Sequence, residues 1–139
     1  MRVKTLLAVF SVIAMGDAVV ALLVPGPFSH MIWPHRTGPE ADLFVRGWGS
    51  CLMILSLIAW AARSVDDSAL RRRCVLGLFA YHFAVSISWL VDALSHGWTP
   101  LSAVSFAALV LFTVGFGYFL FANPEGATEQ GLEHATSRG

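Results

Sequence analysis

Four long apolar runs, at 5–24, 43–62, 74–94 and 101–122, alternate with short stretches that hold most of the charged residues, prolines and several glycines. Each run is long enough to cross a bilayer, because a hydrocarbon core about 30 Å thick is spanned by roughly 20 helical residues rising about 1.5 Å apiece. Pro25, Gly26 and Pro27 stop the first run, Gly97 and Pro100 bracket the turn between the third and fourth, and Asn123 with Pro124 closes the last. Short connections place consecutive spans antiparallel. The pattern predicts an all-α integral membrane protein, an antiparallel four-helix bundle over 1–122. A polar tail over 123–139, disordered or a weak surface helix, follows it.

Composition agrees with lipid as the solvent. Of 139 residues 56% are hydrophobic and 13% charged, where a soluble domain has about a quarter charged, and the mean hydropathy is +0.67. Nine Lys and Arg balance nine Asp and Glu, so no basic excess exists to hold a phosphate backbone, which excludes a nucleic-acid partner. Of the nine basic residues, Arg2, Lys4, Arg63, Arg71, Arg72, Arg73 and Arg138 fall on one side of the spans, and only Arg36 and Arg46 on the other. Cytoplasmic loops retain positive charge, so both termini are expected in the cytoplasm, in a bacterial inner membrane or otherwise the endoplasmic reticulum. Trp33 and Trp98 then mark the outer headgroup level and Trp60 the inner one. Arg2 and Lys4 before an apolar run also resemble a secretory signal peptide, but the length of the run and Asp17 within it favour a span that stays. Cys51 and Cys74 lie about 18 Å apart in depth, too far for a disulfide, and are expected as buried small hydrophobes.

An ionisable group at membrane depth costs about 2.5–3.5 kcal/mol, so each should face protein or water and have a partner. Asp17 lies about 10 Å below the outer boundary and Arg46 about 5 Å below it, with Asp92 at a depth similar to Arg46. The economical arrangement is an outer-leaflet cluster with Arg46 shared between Asp17 and Asp92. It can be architectural, fixing helix register, or the polar wall of a ligand site. His82 sits near mid-membrane with Ser86 and Trp89 on the same helix face at i+4 and i+7, while Tyr81 points away. That stripe reads either as a neutral, hydrogen-bonded packing histidine with its neighbours or as the wall of a pocket.

No cofactor or metal is expected. Bis-histidine haem needs a second histidine at the depth of His82, whereas His30, His35, His96 and His134 all lie in loops or the tail. The same geometry argues against zinc, which needs three or four converging ligands. No nucleophile elbow or phosphate loop is present. Gly47, Gly49, Ser50, Ser102, Ser105, Gly115 and Gly117 permit close helix contact.

The segment from Ser11 to Asp17, Arg46 followed by Gly47, and His82 followed by Phe83, set in this four-span layout, resemble the small four-span scaffold family of ergosterol biosynthesis. Uncharacterised bacterial four-span families with an arginine opening the second helix are similar as well. The resemblance runs over about 3–120; an asparagine is usual where Asp17 stands, and the acidic tail differs from the family's basic ending. It implies a non-catalytic membrane hub that holds lipid-modifying enzymes together. The expected function is therefore a scaffold or accessory subunit that binds other integral membrane proteins, or a second copy of itself, among membrane lipids, one of which it can hold as a ligand. The alternative is a small membrane enzyme acting on an apolar substrate, with Asp17, Asp92 and His82 moving protons.

Overall fold

The computed structural model describes residues 3–36 and 38–122. The tail over 123–139 lies outside the described residues. Five α-helices and no strands are found among those described: α1 (Val3–Leu23), α2 (Pro25–Ile32), α3 (Pro39–Ser64), α4 (Ser68–His96) and α5 (Pro100–Gly117), the last running on into a π-helical turn, Tyr118–Ala122. Four of these elements, α1, α3, α4 and α5 with its extension, are long and apolar enough to span a membrane. The chain is an all-α helical membrane protein.

α4 and α5 begin ahead of their apolar runs because polar side chains cap their first turns. Asp67 accepts from the backbone amides of Ala69 and Leu70 at 2.8 and 3.2 Å, starting α4 six residues before Cys74. Such a side chain satisfies amides that the first helical turn leaves unpaired. Thr99 and Ser102 form a reciprocal capping box at the start of α5, with Pro100 at the first helical position. Pro25 likewise opens α2, a helix that the Pro-Gly-Pro sequence hides because its eight residues are too few for a periodic signal.

Buried positions recur at alternating intervals of four and three. On α1 they include Leu7, Ser11, Ala14, Ala18 and Ala21; on α3 Val45, Gly49, Leu52, Ser56 and Ala59; on α4 Arg71, Val75, Leu78 and His82. This is the seam spacing of helices that pack nearly parallel or antiparallel. The α1–α3 seam is the closest. A Cβ on Gly49 would stand 2.9 Å from the Cβ of Ala21 and 3.2 Å from the carbonyl of Ala18, and Ser11 donates to the Ser56 carbonyl at 2.7 Å. Gly115 and Gly117 serve similarly, against Leu6 and Phe79, while Gly47 faces open space. The helices form two tight pairs, α1 with α3 and α4 with α5, joined by lighter contacts.

One end of the bundle is closed by aromatic rings. Trp33, after α2, is buried and meets Trp89, Phe44 and Trp48 at centroid distances of 5.1, 5.7 and 6.2 Å, while Phe28 stacks on Trp48. Trp33 is thus a core residue rather than the boundary anchor expected, because α2 folds it over the helix ends. Trp60 and Trp98 are exposed, and the Arg63 guanidinium lies 3.9 Å over the Trp60 ring. Both cysteines are free; Cys51 is exposed and Cys74 half-buried, so neither is the buried hydrophobe expected.

Candidate functional site

The polar residues singled out in the spans divide between two places. Asp17 belongs to the α1 stripe Phe10, Ile13, Ala14 and Asp17, which lines a cavity of about 50 Å³. Trp48 and Leu52 from α3, His82 and Trp89 from α4, and Ser105, Leu109 and Phe112 from α5 complete the wall. Asp17 and Ile13 are both exposed, so this face of α1 continues to the perimeter of the bundle. A carboxylate and an imidazole therefore share one space, which has room for a few waters.

His82 is held as a packing residue. It is 1% exposed, and its Nδ1 lies 2.7 Å from the Leu78 carbonyl one turn earlier. With Nδ1 donating to that carbonyl, the neutral ring keeps Nε2 as an acceptor. Phe10, Phe116 and Tyr81 surround it at centroid distances of 4.8, 5.5 and 5.4 Å, so Tyr81 is part of its environment after all. Trp89 reaches the same cavity; Ser86 does not line it, and its buried Oγ has no hydrogen-bond partner among the described residues.

The expected Arg46 cluster is not formed. Arg46 Nη1 donates to the Leu22 carbonyl at 3.1 Å, and Asp17 has no ion-pair partner among the described residues. The reason is geometric and electrostatic. The end of α1 presents carbonyls with no intrahelical partner and a partial negative charge, so a guanidinium entering from α3 meets them before it reaches a residue more than one turn deeper. Asp17 also sits on the cavity stripe of α1, whereas Ala18 and Ala21 meet Gly49 of α3 at the seam.

This arrangement has a measurable consequence. Arg46→Met should cost about 1–2 kcal/mol through the lost charged hydrogen bond, and Asp17→Leu should be neutral or stabilising because it removes an exposed carboxylate from membrane depth. In a thermal-unfolding double-mutant cycle the two effects should add within about 0.5 kcal/mol. A coupling above about 1 kcal/mol would show that the groups are paired in the membrane.

Asp92 lies at the ring-capped end instead. Its Oδ1 is 2.9 Å from Arg36 Nη2, 3.3 Å from His35 Nε2 and 3.5 Å from His96 Nδ1. His35 and His96, expected apart in a loop and a turn, come together with Asp92: the three present ligand atoms all within 4.8 Å of one another. Depth arithmetic misses this because it places residues within spans, whereas His35 and Arg36 are carried in by the fold of the loop after α2. The only advance signal was that Asp92 and His96 are four apart, on one face of a helix end.

Comparison of the chain with protein-family models, curated proteins and solved structures gives no match.

Proposed function

We propose that the chain is a membrane scaffold or accessory subunit that binds other integral membrane proteins. The observation that carries this reading is the contrast between a filled interior and an unfilled perimeter. The cavity that reaches His82 is about 50 Å³, whereas pockets for small organic ligands run to about 300–1,000 Å³. Outside, α5 carries no charge and only three hydroxyl side chains, Ser102, Ser105 and Thr113, yet buries only Ser102 and Phe116, leaving Val104, Leu111 and Val114 exposed. On the other side of the bundle an open groove of about 370 Å³ follows α1 and α3, lined by Ser11, Val12, Met15, Leu57 and Trp60. Its apolar walls suit a lipid acyl chain. The resemblance to a four-span scaffold family points the same way, and the distribution of Lys and Arg supports cytoplasmic termini, with the capped end on the far side.

A second reading has one observation in its favour: Asp17 and His82 line a single cavity, which is the juxtaposition an enzyme moving protons on an apolar substrate would need. Asp92, at the capped end, drops out of that set. One experiment separates the two. Wild type and His82→Gln, carrying topology reporters at both termini, are isolated from native membranes in mild detergent, and bound proteins and lipid products are identified by mass spectrometry. The scaffold reading expects cytoplasmic reporter signals, the same co-purifying membrane proteins from both chains and unchanged lipids. Accumulation of a lipid precursor with assembly intact would overturn it, since glutamine keeps hydrogen bonding but cannot titrate near neutral pH.

A further inference from the structure

We propose that His35, Asp92 and His96 form a binding site for a divalent transition-metal ion of the zinc class at the capped end of the bundle. Two imidazole nitrogens and one carboxylate oxygen are a donor set that zinc, copper and nickel ions favour and magnesium and calcium do not. The spacing fits. A tetrahedral ion about 2.0–2.1 Å from each donor separates the donors by about 3.3 Å, and the carboxylate oxygen stands 3.3 Å from His35 Nε2 and 3.5 Å from His96 Nδ1. The two imidazoles lie face to face, 4.0 Å apart and 6° from parallel, so binding requires them to tilt until both lone pairs converge. Each is partly exposed, with 26% and 46% of its side chain accessible, which gives that tilt room. Three protein donors leave a fourth position open, as in zinc sites that hold water or an exchangeable ligand.

The site is assembled by the fold rather than by a local turn. Asp92 and His96 occupy the last turns of α4, and His35 arrives from 57 or more residues away, two positions after Trp33. Trp33 is 6% exposed and packs edge-on against Trp89, one helical turn before Asp92. Thr99, after α4, donates to the Met31 carbonyl at 3.0 Å and ties the same loop down from the other side. Two contacts compete with the ion: His96 Nδ1 lies 3.2 Å from the Asp92 backbone carbonyl and must release it as the ring tilts, and Arg36 holds the Asp92 carboxylate. Its guanidinium now neutralises Asp92 at 2.9 Å, but with 48% of its side chain exposed it can withdraw to solvent when a dication enters.

The test uses the purified full chain in detergent, with Zn²⁺ alone as the probe by calorimetry and Co²⁺ by its visible absorption. The result expected is one ion per chain, with the intense ligand-field bands of tetrahedral cobalt. His35→Gln, Asp92→Asn and His96→Gln should each weaken binding at least tenfold, and Arg36→Gln should tighten it severalfold. Each variant is first shown to keep the wild-type helical circular dichroism; His35, on an exposed loop, is the substitution least able to disturb the bundle. Binding that persists undiminished in His35→Gln and Asp92→Asn would place the ion elsewhere and overturn the proposal, as would the absence of stoichiometric binding by the wild type or its loss in Arg36→Gln.

Discussion

Gly49→Leu should destabilise the bundle by about 3 kcal/mol or more, while Gly47→Leu, two residues away on the same helix, should be neutral or slightly stabilising. Both substitutions remove a glycine from a helix interior, which favours the helix by up to about 1 kcal/mol at either position. They differ in what a side chain meets. At Gly47 nothing lies within 4 Å of an added Cβ, whereas at Gly49 the Cβ alone would stand 2.9 Å from Ala21 Cβ and 3.2 Å from the Ala18 carbonyl. Neither neighbour is the end of a flexible chain, so relief requires α1 and α3 to separate along their whole seam. That separation would also break the 2.7 Å hydrogen bond from Ser11 to the Ser56 carbonyl. Lipid tails are as apolar as leucine, so close packing and buried hydrogen bonds, rather than escape from water, hold such helices together. The measurement is thermal or denaturant unfolding of both variants in one detergent. Equal stability of the two would mean that α1 and α3 are not in close contact.

The four spans were legible because apolar length is a coarse signal that no local detail can hide: apart from Val24, each run at 5–24, 43–62, 74–94 and 101–122 falls within a helix or its π-turn extension. The helix ends were less legible, since Asp67 and Thr99 extend α4 and α5 by side-chain capping rather than by hydrophobicity. His82 was half legible. It lines one cavity with Trp89 of its own stripe, but of the rings around it only Tyr81 belongs to α4; Phe10 and Phe116 come from α1 and α5, and nothing in the α4 sequence announces them. The charged residues were the least legible. Pairing Arg46 with Asp17 counted only side chains as partners, and the nearer acceptor was a backbone carbonyl at the end of α1. Asp92 found its partners in a loop whose path is set by the burial of Trp33, a tertiary event with no signature in periodicity.

Phe10 is where the filled interior can be tested most directly, and Phe10→Ala should cost about 2–4 kcal/mol, somewhat less than in a water-soluble core. The reduction has a physical source. In a soluble protein the cost combines lost transfer from water with the cavity left behind, but a membrane span that unfolds into lipid regains an apolar environment, and mainly the cavity and contact terms remain. Those terms are large at this position. The ring is 2% exposed and meets His82, Phe112 and Phe116 edge-on at 4.8, 5.1 and 5.6 Å, linking α1 to both α4 and α5. Few other contacts join α1 to α5, so neighbours on those helices cannot close the gap without leaving the α4–α5 pair. Phe10→Leu should recover most of the loss by refilling volume, though not the edge-to-ring geometry worth about 0.5–1.5 kcal/mol per pair. Val9→Ala, at an exposed position one residue away, should change stability by no more than about 0.5 kcal/mol. Unfolding of the three variants in the same detergent measures the differences. If Phe10→Ala proved as stable as Val9→Ala, the rings around His82 would not be packed as a unit, and the interior would have room to open for a substrate.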